Sequence, residues 1–233
     1  MNRVNKICFF GIIFFTIIVA GVYFYPVSTF VTRFAFLFSI VSLLFLIVFL
    51  AVYNKRVLYL VIGLVVMLIA SKLIFQSNKP LSRVYTNNLK KYSGTKYIWG
   101  GENSMGIDCS GLVRKSMVNA LLIKSLSDYD FSKMRLAADL WWNDCTAKAL
   151  QNGFRGYTLP VNGVLSVNDA DSSLFREGDM AVTLDGLHIM AYIGNNEWVE
   201  ADPMIMEVIK KATPAENVWF KVPMEIVRWK VLE

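Results

Sequence analysis

The 233 residues are 55% hydrophobic with a mean hydropathy of +0.44, which excludes an ordinary soluble domain and implies a membrane-embedded portion. Every Asp and Glu lies at or after Glu102, whereas seven of the 24 Lys and Arg precede residue 80, leaving 17 basic residues against 18 acids in the remainder. The pI of 9.2 therefore reports membrane flanks, and no nucleic-acid-binding footprint is read from it.

Apolar runs at 7–25, 34–53 and 57–76 each approach the roughly 20 residues needed to cross hydrocarbon, so three transmembrane helices are expected. The first run is longer than a signal-peptide core and no small-residue cleavage site follows it, which favours an anchor over a leader. Cys8 within it lacks the small-residue approach of a lipidation site and reads as a packed or lipid-facing residue. Almost no ionisable residue interrupts the spans, which argues against a transport path. Arg3, Lys6, Lys55 and Arg56 flank the spans on one side and Arg33 on the other, placing the N-terminus inside and everything after about residue 77 outside. The expected organisation is an anchor over 1–78 and a second domain over 79–233, the lipid bilayer being the partner of the first.

In the second domain LSRVYTNNLKKY reads as an amphipathic helix closed by Ser93-Gly94, and a further helix is expected from Cys109 to about Lys124. MRLAADLWWNDCTAKALQN reads as one helix ending at Gly153. After Gly178 the pattern turns to strands: DMAVTL, an Asp185-Gly186 turn, LHIMAYIG, EWVEAD, NVWFKVP and EIVRWKVL. Helices first and antiparallel strands later imply an α+β domain.

Three cysteines cannot build a disulfide framework. Cys109 stands at a helix start, where the dipole stabilises a thiolate; by position alone it is either a nucleophile or a packed core residue. His188 is the only histidine and begins a strand with His188, Met190 and Tyr192 on one face and Ile189, Ala191 and Ile193 on the other. Thiol catalysis needs such an imidazole to take the proton and a third group to hold the ring. Glu200 and Asp202 on the next strand are both candidates. A three-residue loop Gly194–Asn196 sets Asp202 opposite His188 with Glu200 diagonal; a five-residue loop sets Glu200 opposite.

YIWGGENSMGIDCSGLV, then GDMAVTLDGLHIMAYIG, then WVEADP resembles the NlpC-type papain-like cysteine peptidases, a family of cell-wall endopeptidases, over roughly residues 85–205. The resemblance implies a papain-like α+β fold with helices on an antiparallel sheet. It implies Cys109 as nucleophile, His188 as general base and later acid, and Glu200 in the orienting position, although the family more often carries His, Asn or Gln there. It matches Tyr97 to a substrate-pocket tyrosine, assigns Asp108 and Ser110 to receiving the substrate's free amino end, and calls for no cofactor or metal. The substrate it implies is a peptide-like amide, foremost in peptidoglycan stem peptides, cleaved outside the plasma membrane of a bacterium. An amidase or acyltransferase on a lipid or other small amide, and an inactive binding domain, are the rival readings. His188 follows Cys109 by 79 positions, a long spacing whose excess falls between about 125 and 175 and reads either as a surface elaboration or as a lid that selects substrate.

Overall fold

A computed structural model describes residues 3–72, 78–164 and 166–233, and the chain divides into two compact units, Met1–Gln76 and Ser77–Glu233.

The first unit contains α1 (Arg3–Phe24), α2 (Phe30–Tyr53) and α3 (Lys55–Lys72). Thr29 caps α2, its hydroxyl accepting from Thr32 N–H while the Thr32 hydroxyl accepts from Thr29 N–H at 2.8 Å. α1 and α2 run antiparallel: the Phe15 and Phe38 rings meet at 6.0 Å, and a β-carbon on Gly11 would touch Leu46 at 3.0 Å. Among the described residues two helices, Asn5–Phe24 and Phe30–Tyr53, are long and apolar enough to cross a membrane, rather than the three expected. The third apolar run does form a helix, but α3 includes Lys55, Arg56 and Lys72 within its 18 residues, and residues 73–76 of that run lie outside the described residues.

The second unit is the α+β domain the pattern implies. α4 (Leu81–Lys91), α5 (Cys109–Asp128) and α6 (Phe131–Trp142) pack on a six-stranded antiparallel sheet of order β3-β8-β4-β5-β6-β7. The strands are β3 (Thr158–Val164), β4 (Met180–Thr183), β5 (Ile189–Tyr192), β6 (Glu197–Asp202), β7 (Glu207–Ala212) and β8 (Met224–Trp229); a small ribbon of β1 (Glu102–Asn103) and β2 (Gly106–Ile107) precedes α5.

Several elements depart from the sequence pattern for identifiable reasons. The 134–152 helix is two helices, because Asn143 and Asp144 turn away to meet Arg114 and Thr146 caps a new short helix, α7 (Ala147–Gln151). β3 and β7 escape the pattern because both are edges. β3 carries Pro160 beside a bulge, a device that suits a strand paired on one side only, and β7 is met on its outer side only at its start, by residues 94–96, ahead of Lys210 and Lys211. NVWFKVP is a 3-10 turn at Val218–Phe220, since the Asn217 carboxamide oxygen accepts from Trp219 N–H at 2.9 Å and outcompetes a ladder.

Both faces of the sheet are buried. Ile189, Ala191 and Ile193 face the helices, while Met190 and Tyr192 on the other face join Phe175, Trp198 and Phe220 in a second core. Phe175 stands edge-on to Trp198 at 5.0 Å, so much of the 165–177 stretch covers the far face of the sheet.

Gly178, at φ +100°, turns the chain so that Asp179 meets the β8 side chain Arg228 through two hydrogen bonds of 2.6 and 2.8 Å, both partners buried. Removing one partner strands the other charge without water, so Asp179→Ala is expected to cost about 3–5 kcal/mol, and the double substitution Asp179→Leu with Arg228→Met far less than two such losses. Urea unfolding of the detergent-solubilised full chain measures both.

Candidate active site

The site begins with a stitched segment. Residues 94–98 hydrogen-bond to β7 on one side and to β2 on the other, through Tyr97 N–H to the Met206 carbonyl at 2.9 Å and Ile107 N–H to the Lys96 carbonyl at 3.0 Å. Gly101 then passes so close to α5 that a β-carbon on Gly111 would collide with its carbonyl, while a β-carbon on Gly101 itself would collide with the carbonyls of Gly106 and Ile98, so each position requires glycine for its own contact. Asp108 closes the arrangement as the N-cap of α5. Its Oδ1 accepts from Gly111 N–H at 2.6 Å and from the Ser110 hydroxyl at 3.0 Å, and its Oδ2 accepts from Gly100 N–H at 2.7 Å.

That cap sets Cys109 at the first position of α5, 6% exposed, at the base of a cleft of about 530 Å³. Tyr97, Trp99 and Ser110 stand with it on one side, and Asp144, Thr146 and Lys148, from the long 125–175 stretch, also line the cleft. The wall residue Asp144 is held by buried Arg114, whose other partner is Glu102. The stretch is therefore part of the cleft and of the second sheet core.

Cys109 Sγ approaches the Leu187 carbonyl at 4.0 Å, next to His188. His188 is placed by the preceding turn, where its N–H donates to the Thr183 hydroxyl at 3.0 Å and that hydroxyl donates to Asp185 at 2.6 Å. The imidazole is 1% exposed. Its Nε2 lies 2.6 Å from Glu200 Oε2, and its buried Nδ1 has no hydrogen-bond partner among the described residues. Because a carboxylate can only accept, Nε2 carries the proton and the Nδ1 lone pair is left open.

The hairpin carries the three-residue loop, with Ala191 opposite Val199 and Tyr192 opposite Trp198. That register puts Asp202 across from His188, yet the bond goes to the diagonal residue, Glu200. Asp202 is occupied by its own turn, accepting from Met204 N–H at 2.7 Å and Ile205 N–H at 3.2 Å. The structure thus joins His188 to Glu200, sets Cys109 against the carbonyl of the residue before His188, and places Tyr97, Asp108 and Ser110 at the cleft.

Two neighbours are not singled out by the sequence. Trp219 stacks on the His188 ring at 4.3 Å and 21°, and the Asn217 amide reaches both Glu200 and Asp202. The sequence signal for them is slight: an Asn two residues before a Trp in a segment that otherwise reads as a strand.

The electrostatics amend the expectation of a resting thiolate. Burial pushes the Cys109 thiol up to about 12 and the Asp108 carboxylate adds to the rise, while hydrogen bonds from the backbone of Ile189, Ser110 and Cys109 itself pull the other way. Desolvation and the capping carboxylate outweigh the helix terminus, so the resting group is a thiol. Burial also raises the Glu200 carboxyl, opposed by its bond to His188 and reinforced by Asp202. The Tyr97 phenol is raised by burial first, then by Cys109 and Asp108.

A cysteine at a helix start, a histidine just before a neighbouring strand and an antiparallel sheet define an α+β domain with a candidate thiol site. The model of the NlpC/P60 family matches residues 94–228, more than half of the chain, and the chain belongs to that family. Among solved structures it is similar to NlpC1 from Trichomonas vaginalis, at 18% identity and a TM-score of 0.43 over 66% of this chain and 46% of that one. It is also similar to NlpC2 from the same organism, at 15% and 0.43 over 66% and 49%. The peptidoglycan hydrolase RipB from Mycobacterium tuberculosis matches at 16% and 0.38 over 66% and 65%. The chain thus spans less than half the length of the two Trichomonas structures. No curated protein matches it.

The buried thiol has a consequence for stability. Its folded value of about 12 lies above the ordinary 9.0, so the folded chain holds this proton longer than the unfolded chain. The contribution is complete below pH 9 and is lost as pH rises toward 12. Unfolding of wild type and Cys109→Ala should run parallel up to pH 9, with wild type losing stability faster between pH 9 and 11; denaturant titrations across that range test this.

Proposed function

We propose that this protein is a membrane-anchored cysteine hydrolase that cleaves an amide bond in peptidoglycan stem peptides. The observation that carries the proposal is the buried His188–Glu200 pair, which leaves Nδ1 as the open ring nitrogen of the residue next to Leu187, whose carbonyl Cys109 Sγ approaches at 4.0 Å.

In the reaction Nδ1 takes the proton of the Cys109 thiol as the sulfur attacks the carbonyl carbon of the scissile amide. Glu200 holds the ring by its Nε2–H and stabilises the imidazolium that forms. The backbone N–H of Cys109 stands at the start of α5 to meet the oxygen of the tetrahedral intermediate, where preorganised donors act most strongly. Collapse passes the Nδ1 proton to the leaving amine and leaves a thioester on Cys109. Water, deprotonated by Nδ1, then attacks that thioester, and the proton returns to sulfur as the acid product departs. Tyr97, Asp108 and Ser110 receive the substrate's free amino end, the Asp108 carboxylate supplying the charge an ammonium needs.

The anchor is the apolar N-terminal unit. α1 and α2 span the bilayer and α3 makes the third crossing, so that the four-to-one excess of cationic flanks keeps the N-terminus inside and the catalytic unit outside, where wall polymer is found.

Two experiments test this. Purified wall fragments incubated with the full-length protein in detergent and analysed by mass spectrometry should show new amine and carboxyl ends at one stem-peptide bond. Cys109→Ala and His188→Ala should each lower turnover by about 10⁴-fold or more, because nucleophile and base act as one unit. Glu200→Gln should retain more activity than Glu200→Ala, with Asp202→Ala the mildest; an active Cys109→Ala would remove the mechanism. For the topology, reporter fusions at residue 80 should be active only on the outer side, and an inside signal would end the cell-wall reading.

A further inference from the structure

Glu200 and Asp202 sit two residues apart on β6, with their side chains on one face and both 1% exposed. Two carboxylates so close and so dry resist ionising together. Around Glu200 the charged or titratable groups are His188 from β5, Asp202 on its own strand and Lys211 from β7. The Asn217 amide adds a neutral donor: its Nδ2 donates to Glu200 Oε1 at 3.1 Å and to Asp202 Oδ2 at 2.7 Å. The other end of the same carboxamide, Oδ1, accepts from Trp219 N–H and forms the turn that lays the indole over His188.

We propose that Asn217 is a positioning residue that keeps Glu200 ionised and thereby holds His188 in the tautomer whose Nδ1 can accept the thiol proton. This rests on the catalytic reading of Cys109 and His188. Burial already raises the proton affinity of Glu200, and Asp202 raises it further. Once protonated, Glu200 presents an O–H to Nε2; the ring proton then moves to Nδ1, the nitrogen that must be empty for the thiol to transfer its proton. A hydrogen bond donated to each carboxylate favours both as anions, so the Asn217 amide works against that switch. The arrangement is particular to a chain with a carboxylate in the orienting position, since a neutral side chain there has no charge state to guard.

Asn217→Asp separates this role from a structural one. The substituted carboxylate still accepts from Trp219 N–H and preserves the turn, but it loses the donor and adds a third anion. The expected result is an acid limb of kcat/KM on wall fragments moved up by about one pH unit or more, with full activity returning at higher pH. The chain has one histidine, so the imidazole nitrogen signals of the full-length protein labelled with ¹⁵N-histidine report His188 directly. Wild type should show the Nε2–H form at neutral pH, and Asn217→Asp a large Nδ1–H fraction. Adding Asp202→Asn moves the amide across the pair: the carboxamide introduced there can cap its turn through Oδ1 and donate through Nδ2, so the double variant should return the acid limb to within a few tenths of a unit of wild type. An unshifted acid limb with a wild-type tautomer in Asn217→Asp, or a double variant as impaired as the single, overturns the proposal. A wild-type protein that leaves wall fragments intact sinks the hydrolase reading instead, and the tautomer measurement alone then decides for or against the role of Asn217.

Discussion

The carboxylate of Asp108 holds the catalytic unit's geometry together. With its two oxygens it ties the loop at Gly100, the side chain of Ser110 and the N–H of Gly111, and so fixes where α5 begins. A helix cap of this kind contributes about 1 kcal/mol to stability, but its larger effect is positional. The Gly101 carbonyl can approach α5 because Gly111 has no β-carbon, and Cys109 at the start of that helix lines the cleft. The same carboxylate raises the proton affinity of the thiol beside it. Under the proposed mechanism attack therefore starts from a neutral thiol and needs a base, the task assigned to His188.

That base is held in a dry, crowded place. His188 heads β5, the strand pairs on to β6, and the three-residue hairpin loop sets which face Glu200 occupies. The far side of the sheet is closed by Phe175, Trp198 and Phe220, and the turn that supplies Phe220 also supplies Trp219. Burial on both faces strengthens the imidazole–carboxylate bond by lowering the local dielectric, and for the same reason makes every unpaired charge near it costly. The buried Asp179–Arg228 pair, which ties the start of β4 to the end of β8, obeys the same constraint.

The 125–175 stretch serves both the cleft wall and the second core of the sheet. Asp144, Thr146 and Lys148 line the cleft, while Val167, Ala170 and Phe175 pack on the second core. Cleft lining and sheet burial thereby share one segment, so a change in it acts on the cleft wall and on the second core together.

Periodicity and motif order determine much of this protein. The apolar N-terminal runs, the helix beginning at Cys109, the strand led by His188 and the Gly194–Asn196 hairpin are all local patterns, legible because each depends on residues a few positions apart. Tertiary structure decided the rest. The His188–Glu200 bond crosses a hairpin diagonally, and Asp202, the residue directly opposite, is withdrawn by backbone amides of its own turn. β3 and β7 are strands because the sheet offers them an edge, against Pro160 in one and paired lysines in the other. Asn217 and Trp219 come from a segment that reads as a strand until a single side-chain hydrogen bond bends it, and they reach the site only because the chain returns over the far face of the sheet. The ionisation state of Cys109 is likewise beyond the sequence: a helix N-terminus argues for a thiolate, and only the depth of burial and the position of Asp108 show that desolvation prevails.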